Sequence, residues 1–324
     1  NKVLHCQRAD LLLSISESSR QEALEYLGFQ ENKVVNISSA ADSKFRVLQL
    51  SLSEENKLRI KFGLDKKSLM YSGATDHRKN HLRLIKAYSL LPMEVRCDHQ
   101  LAFVGGMPDN HREKFLYYAI ECGLDKGELV ITGRVSDEDM IALYNLCKAF
   151  IFPSWHEGFG LPALEAMKCG RAVIASNTSS LPEVISYPNA LFDPFDELSM
   201  KDKIKQVLLD AEFRSALELH SLSQAEKFSW GETARKAILS LEYYYEQVRE
   251  LKESDTAKVL KNNHSLETRL IENISKLTYA FSDSDLAEAA KAISLNNKKN
   301  NKRQLFVDIS ELKQNDSKTG IQRV

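Results

Sequence analysis

Six short apolar runs recur between Ser68 and Phe195: SLMYSG, QLAFVGG, ELVITG, AFIFPS, AVIAS and ALFDP. Each is continuous rather than alternating, so the strand it forms must be covered on both faces. Between them lie stretches with helical spacing, among them NHLRLIKAYSLL, NHREKFLYYAIECG and DEDMIALYNLCK. This alternation predicts an α/β fold, a Rossmann-like parallel sheet with helices on both faces. Two helix starts read as capping boxes, Ser136 with Asp139 and Ser180 with Glu183. The following stretch, DELSMKDKIKQVLLDAEFRSALELHSLSQAEKF, reads as long and helical. SWGETARKAILSLEYYYEQV, with Trp230 near its start, reads as an end helix that packs back on the fold.

The remaining segments suggest a chain cut from something longer. Residues 1–45 hold a strand, DLLLSIS, a helix, ESSRQEALEYLG, and a strand, KVVNIS, which is one βαβ piece without the rest of its sheet. Residues 46–248 hold the main sheet and its end helix, and residues 249–303 are charged and polar, a linker with weak helical periodicity that ends in NNKKNNKR. Residues 304–324 open a new strand, RQLFVDIS, and reach a glycine where a helix should begin. An isolated strand cannot bury its own faces, so the chain is expected to be the middle of a longer polypeptide.

Composition narrows the function. The 324 residues carry a formal net charge of −1, which gives no electrostatic footprint for nucleic acid. No run approaches the ~20 apolar residues of a membrane span. The opening NKVLHCQRAD has no apolar signal region, so a cytoplasmic protein is expected, with the inner face of the membrane as a peripheral option. The five cysteines are scattered, without a C-x-x-C pair, and read as reduced thiols in apolar packing; no metal site is expected.

The chemistry concentrates in FIFPSWHEGFGLPALEAMKCGRAVIAS, from Phe150 to Ser176. Pro162 suits the first turn of a helix and Gly170 the left-handed position beyond its end. GFG is then a strand-to-helix loop, and the amides of Gly158, Phe159, Gly160 and Leu161 gather at a positive dipole end where a phosphate would bind. The same residues spell G-x-G-x-x-A, a dinucleotide fingerprint, but here the loop follows the fourth strand of its block and no acid follows the next strand. Glu157 and Glu165 flank the loop with seven residues between them. Carboxylates beside a diphosphate make sense as acceptors for hydroxyls, a sugar on one side and a ribose on the other. The plainer account makes Glu165 a dipole complement and Glu157 a solvated loop residue; the glycine loop between them favours the nucleotide sugar. Arg78 and Lys79 read as like charges at a helix start, which oppose the dipole and so favour an anionic partner.

PSWHEGFGLPALEAMKCGRAVIAS closely resembles the E-x7-E region of retaining glycosyltransferases with the GT-B fold, the family 4 group. YSGATDHRKNHLRLIKAYSLL resembles that family's phosphate-binding segment, LVITGRVSDEDMIALYNLCKAFIFPS its base-binding strand, and FSWGETA its crossover. ADLLLSISESSRQEAL resembles the last unit of the first Rossmann domain, so the likeness runs from about Ala9 to Val248. The tail resembles the start of a second transferase, which implies a tandem polypeptide.

The resemblance implies a donor domain of GT-B type. Glu157 would touch the donor sugar, Lys79 and Arg78 the leaving diphosphate, and Glu165 the ribose. Gly73, Ser154, Gly158, Phe159, Gly160 and Leu161 would line the donor site, with Gly133, Arg134 and Val135 along the base. The implied partners are a nucleotide-diphosphate sugar, GDP-mannose as the best candidate, and a glycan acceptor, lipid-linked, of bacterial O-antigen or lipopolysaccharide assembly; no metal or other cofactor is implied. Alone, the chain is expected to bind donor weakly and to turn over little. A sugar-nucleotide epimerase of the same fold and a non-catalytic scaffold are the alternatives. Two departures stand out. Ala74 occupies a position where many members have arginine, and SSAAD (Ser38 to Asp42) lacks the glycine usual before the aspartate.

Overall fold

The computed structural model describes residues 6–249; the expected linker and second-transferase segments, apart from residue 249, lie outside the described residues. Six parallel strands form the main sheet: β3 (Lys67–Ser72), β4 (His99–Val104), β5 (Leu129–Ile131), β6 (Ala149–Phe152), β7 (Val173–Ser176) and β8 (Leu191–Phe192). Their spatial order is β5-β4-β3-β6-β7-β8. Every apolar run expected to be a strand is one. The chain order reverses between β3 and β6, which pair directly. In open α/β sheets ligands bind at such a switch point, beyond the carboxyl ends of the strands. The loops carrying Lys79 and Glu157 leave these two strands.

A separate two-stranded parallel sheet pairs β1 (Leu12–Ser14) with β2 (Val34–Asn36) around helix α1 (Glu17–Leu27). The chain then runs through α2 (Leu52–Phe62), α3 (His81–Ser89), α4 (Met93–Cys97), α5 (Asp109–Glu121) and α6 (Asp137–Leu146). It continues through α7 (Leu161–Lys168), α8 (Leu181–Ile185), α9 (Glu197–Leu209) and α10 (Ala211–Ala225).

The core follows the apolar runs. All residues of β4, β6 and β7 are buried, and α3 packs Leu84, Ile85, Ala87 and Tyr88 inward. Fully burying such side chains contributes ~1.5–3 kcal/mol each. Buried Cys147 and Cys169 belong to this core, and burial pushes both thiols up to about 12. Cys97, by contrast, is exposed.

Three sequence expectations need correction. The long helical stretch breaks at Asp210, an extended residue whose carboxylate accepts the Phe213 amide and so starts a new helix. Ser136 caps α6 as expected, but Ser180 does not cap α8; its backbone is already helical and its hydroxyl serves the loop before α7. The end helix, which starts at residue 230, leaves Ile238, Leu239, Leu241 and Tyr243 exposed.

Candidate functional site

Helix α7 fixes the loop that precedes it. Pro162 sits in its first turn, and Gly170 lies beyond its end at φ 71°, where the αL backbone suits glycine. Gly160 is the N-cap residue at φ 107°. A Cβ there would lie 2.7 Å from the Leu181 side chain, so a left-handed backbone and a close neighbour both demand glycine. No side chain caps this end. Among the described residues, none of the amides of Gly158, Phe159, Gly160 and Leu161 donates to a protein acceptor. The Phe159 ring is buried against Phe228, so this residue offers only backbone.

Serines hold the loop in shape. Ser180 Oγ lies 3.0 Å from the Glu157 carbonyl and 2.8 Å from that of Phe159. Ser179, itself left-handed at φ 52°, accepts the Glu157 amide at 3.0 Å. Ser19 of α1 donates to the Gly158 carbonyl at 3.1 Å. Glu183 accepts the amides of Glu17 and Ser18 at 2.9 and 3.1 Å, so α8 is tied to the positive end of α1. Sequence reasoning missed all of these as site residues, because each bond joins segments far apart in the chain.

The two glutamates have different partners. Glu157 Oε1 accepts from Lys79 Nζ at 2.6 Å, with both side chains about nine-tenths buried. Lys79 Nζ also sits 5.3 Å from the Phe152 ring centre. Glu165, buried on the inner side of α7, accepts from the Tyr144 hydroxyl of α6 at 2.9 Å. Burial, with Glu165 beside it, pushes the Tyr144 phenol well above its ordinary range, so the phenol keeps its proton and acts as a donor.

Arg78 and Lys79 do not begin a helix. They end a 3₁₀ turn, and Asn80, at φ 63°, separates that turn from α3. The dipole argument therefore does not apply to them. Asn80 also donates to the carbonyls of Pro153 and Pro194, tying together the loops after β3, β6 and β8. Arg78 is half-exposed; it pairs with Asp76 at 3.3 Å, and its carbonyl accepts the Trp155 amide at 3.1 Å.

The remaining expected residues lie at the same carboxyl edge. Gly73 follows β3, and a Cβ there would meet the Tyr71 hydroxyl at 2.5 Å. Gly133 bridges to Gly105, joining the loops after β5 and β4. Arg134 is exposed and passes along Gly106, while Val135 is partly buried. Ser154 is fully buried, and its hydroxyl has no hydrogen-bond partner among the described residues. Among the described residues no three His, Cys, Asp or Glu side chains are grouped to hold a metal ion.

The profile of the family "Glycosyl transferases group 1" matches residues 53–220, more than half of the chain. The chain belongs to this family. This group 1 glycosyltransferase chain is 39% identical over its whole length to the serotype-specific mannosyltransferase WbdA of Escherichia coli, and covers 38% of that protein. It is 35% identical over 233 residues to the O-antigen chain mannosyltransferase B of Escherichia coli, covering 71% of this chain and 60% of that one. It thus spans about two fifths of the length of the WbdA relatives it matches. The fold is that of solved glycosyltransferases. Anabaena HepE in complex with UDP and glucose superposes with a TM-score of 0.65 at 19% identity, over 75% of this chain and 66% of that one. A glycosyltransferase from Rickettsia africae superposes with a TM-score of 0.64 at 22% identity, over 73% and 63%. Within this group 1 chain, α2 escaped the sequence reading although its signal was present: Ser51 and Glu54 form a complete capping box.

Proposed function

We propose that this domain binds a nucleotide-diphosphate sugar and takes part in retaining transfer of its hexose, mannose from GDP-mannose being the leading donor, to a glycan acceptor. The observation that carries this is the buried Lys79–Glu157 pair, set at the sheet's switch point beside a loop whose amides have no acceptor among the described residues. An ammonium has three donors, and Glu157 takes one of them, leaving Lys79 able to reach a phosphate oxygen at the same time. Its contact with the diphosphate would strengthen as negative charge builds on the leaving group. Glu157, fixed at both its side chain and its backbone, would accept donor-sugar hydroxyls. Glu165 would accept those of the ribose, and Gly133 to Val135 would border the base. The relatives named as mannosyltransferases support mannose as the transferred sugar. A lipid-linked acceptor at the inner face of the cytoplasmic membrane fits the same reading; among the described residues no helix is long and apolar enough to cross a membrane.

Calorimetric titration of the chain with GDP, UDP, dTDP and ADP tests the reading, with Lys79→Ala alongside. One nucleotide should bind, and the variant should bind it at least ten-fold more weakly. Heat from none of the four, or equal binding by the variant, would overturn it.

A further inference from the structure

The loops that carry Lys79 and Glu157 also border a cavity. The cavity, of about 460 Å³, is lined by Asp76, His77, Asn80 and His81 from the first loop and the start of α3, and by Trp155 from the second. Arg83, Lys114, Phe115, Tyr118 and Glu197 close it from α3, α5 and α9. None of the residues placed in the donor site lines it. Its size falls in the range of small-ligand sites.

The lining has a definite chemistry. Charges of both signs line it: Arg83 pairs with Glu197 at 3.4 Å, Asp76 pairs with Arg78 of its own loop at 3.3 Å, and Lys114, His77 and His111 add further polar groups. Two carboxylates in the lining favour an uncharged ligand over a phosphate. His81 is 4% exposed, its ring stacks on that of Phe115 at 4.8 Å, and its Nε2 is closed off from solvent with no hydrogen-bond partner among the described residues. Burial, with the Lys79 charge behind it, lowers the His81 pKa to about 4, so near neutral pH the ring carries one N–H and one lone pair. Interleaved donors and acceptors suit several hydroxyls, and the rings of Trp155, Phe115 and Tyr118 suit the C–H faces between them.

We propose that this cavity is a second carbohydrate site, which holds a neutral hexose unit of the glycan beside the loops that bind the donor. The proposal rests on the transferase reading for the identity of the sugar, but not for the presence of the site. It gives the growing chain a hold on this domain that does not compete with the nucleotide.

The sequence contains two tryptophans, Trp155 and Trp230, so Trp230→Phe leaves Trp155 as the only indole. Titrating this protein with mannotriose should give a saturable change in Trp155 emission, with the same affinity when GDP is present. Calorimetry on the unaltered chain should agree. The Lys114→Ala, Glu197→Gln double variant should weaken mannotriose at least ten-fold and leave nucleotide binding unchanged. No saturable binding by either method overturns the proposal. So does displacement of mannotriose by GDP, which would mean one shared site, or full affinity in the double variant. If mannotriose binds and no nucleotide does, the donor reading fails and this site stands; the reverse result separates them the other way.

Discussion

Glu157 precedes the glycine loop and Glu165 lies about one turn inside the helix that follows it, yet they are held by opposite means. Glu157 faces a cation from another strand's loop, across the point where the sheet order reverses. Glu165 faces a neutral phenol from the helix before it. A carboxylate paired with an ammonium sits in a field that can stabilise developing charge. A carboxylate held by a phenol is only kept in position. On the proposed function, the difference would give Glu157 a part in the reaction and Glu165 a part in recognition.

The largest effect should come from Glu157. Glu157→Ala in a full-length polypeptide should lower the rate of sugar transfer on the order of 10²-fold or more; unchanged product formation would end its assigned role. The next test concerns the cation. The His81 pKa of about 4 lies below the ordinary 6.5, so the unfolded chain binds the extra proton first as pH falls. The stability this contributes is full above pH 6.5 and is lost as pH drops toward 4, about 3 kcal/mol in all. Denaturant melts across that window should show an acid limb that shrinks in Lys79→Ala and shrinks further in His81→Phe, the remainder including His99, which burial also holds below its ordinary value. A limb unchanged in His81→Phe would place it on other groups. Tyr144→Phe removes one hydrogen bond to a carboxylate, ~1.5–3 kcal/mol. It should raise the Kd for nucleotide about ten-fold and leave the rate at saturating donor intact. A loss of rate instead would erase the distinction between the two glutamates. The smallest change is expected from Glu183→Gln, about 1 kcal/mol of stability from a weakened partner at the α1 N-terminus.

The sheet was legible because its strands are covered on both faces and read as unbroken apolar runs, such as AFIFPS, all four of whose β6 residues are buried. The loop and its helix were legible from Pro162, Gly160 and Gly170, whose backbone demands are local. What pairs with what was not. Lys79 meets Glu157 across 78 residues and Tyr144 meets Glu165 across 21, and no pattern within one segment encodes either contact. Ser180 followed by Glu183 shows the converse failure. The local pattern of a capping box was present, but both side chains found partners elsewhere, two carbonyls for one and two amides of α1 for the other. The end helix misled for a related reason: its helical spacing fixes the conformation but cannot name a surface to cover its apolar face.

The bonds from α1 to the neighbourhood of the glycine loop carry a mechanical consequence. Glu183 grips the first amides of α1, Ser19 holds the carbonyl of Gly158, and the Ile15 side chain would lie only 3.2 Å from a Cβ on that glycine. The helix is a lever whose short arm rests on the loop. A tilt of α1, whatever pushes it, is passed through these contacts to the backbone of the glycine loop.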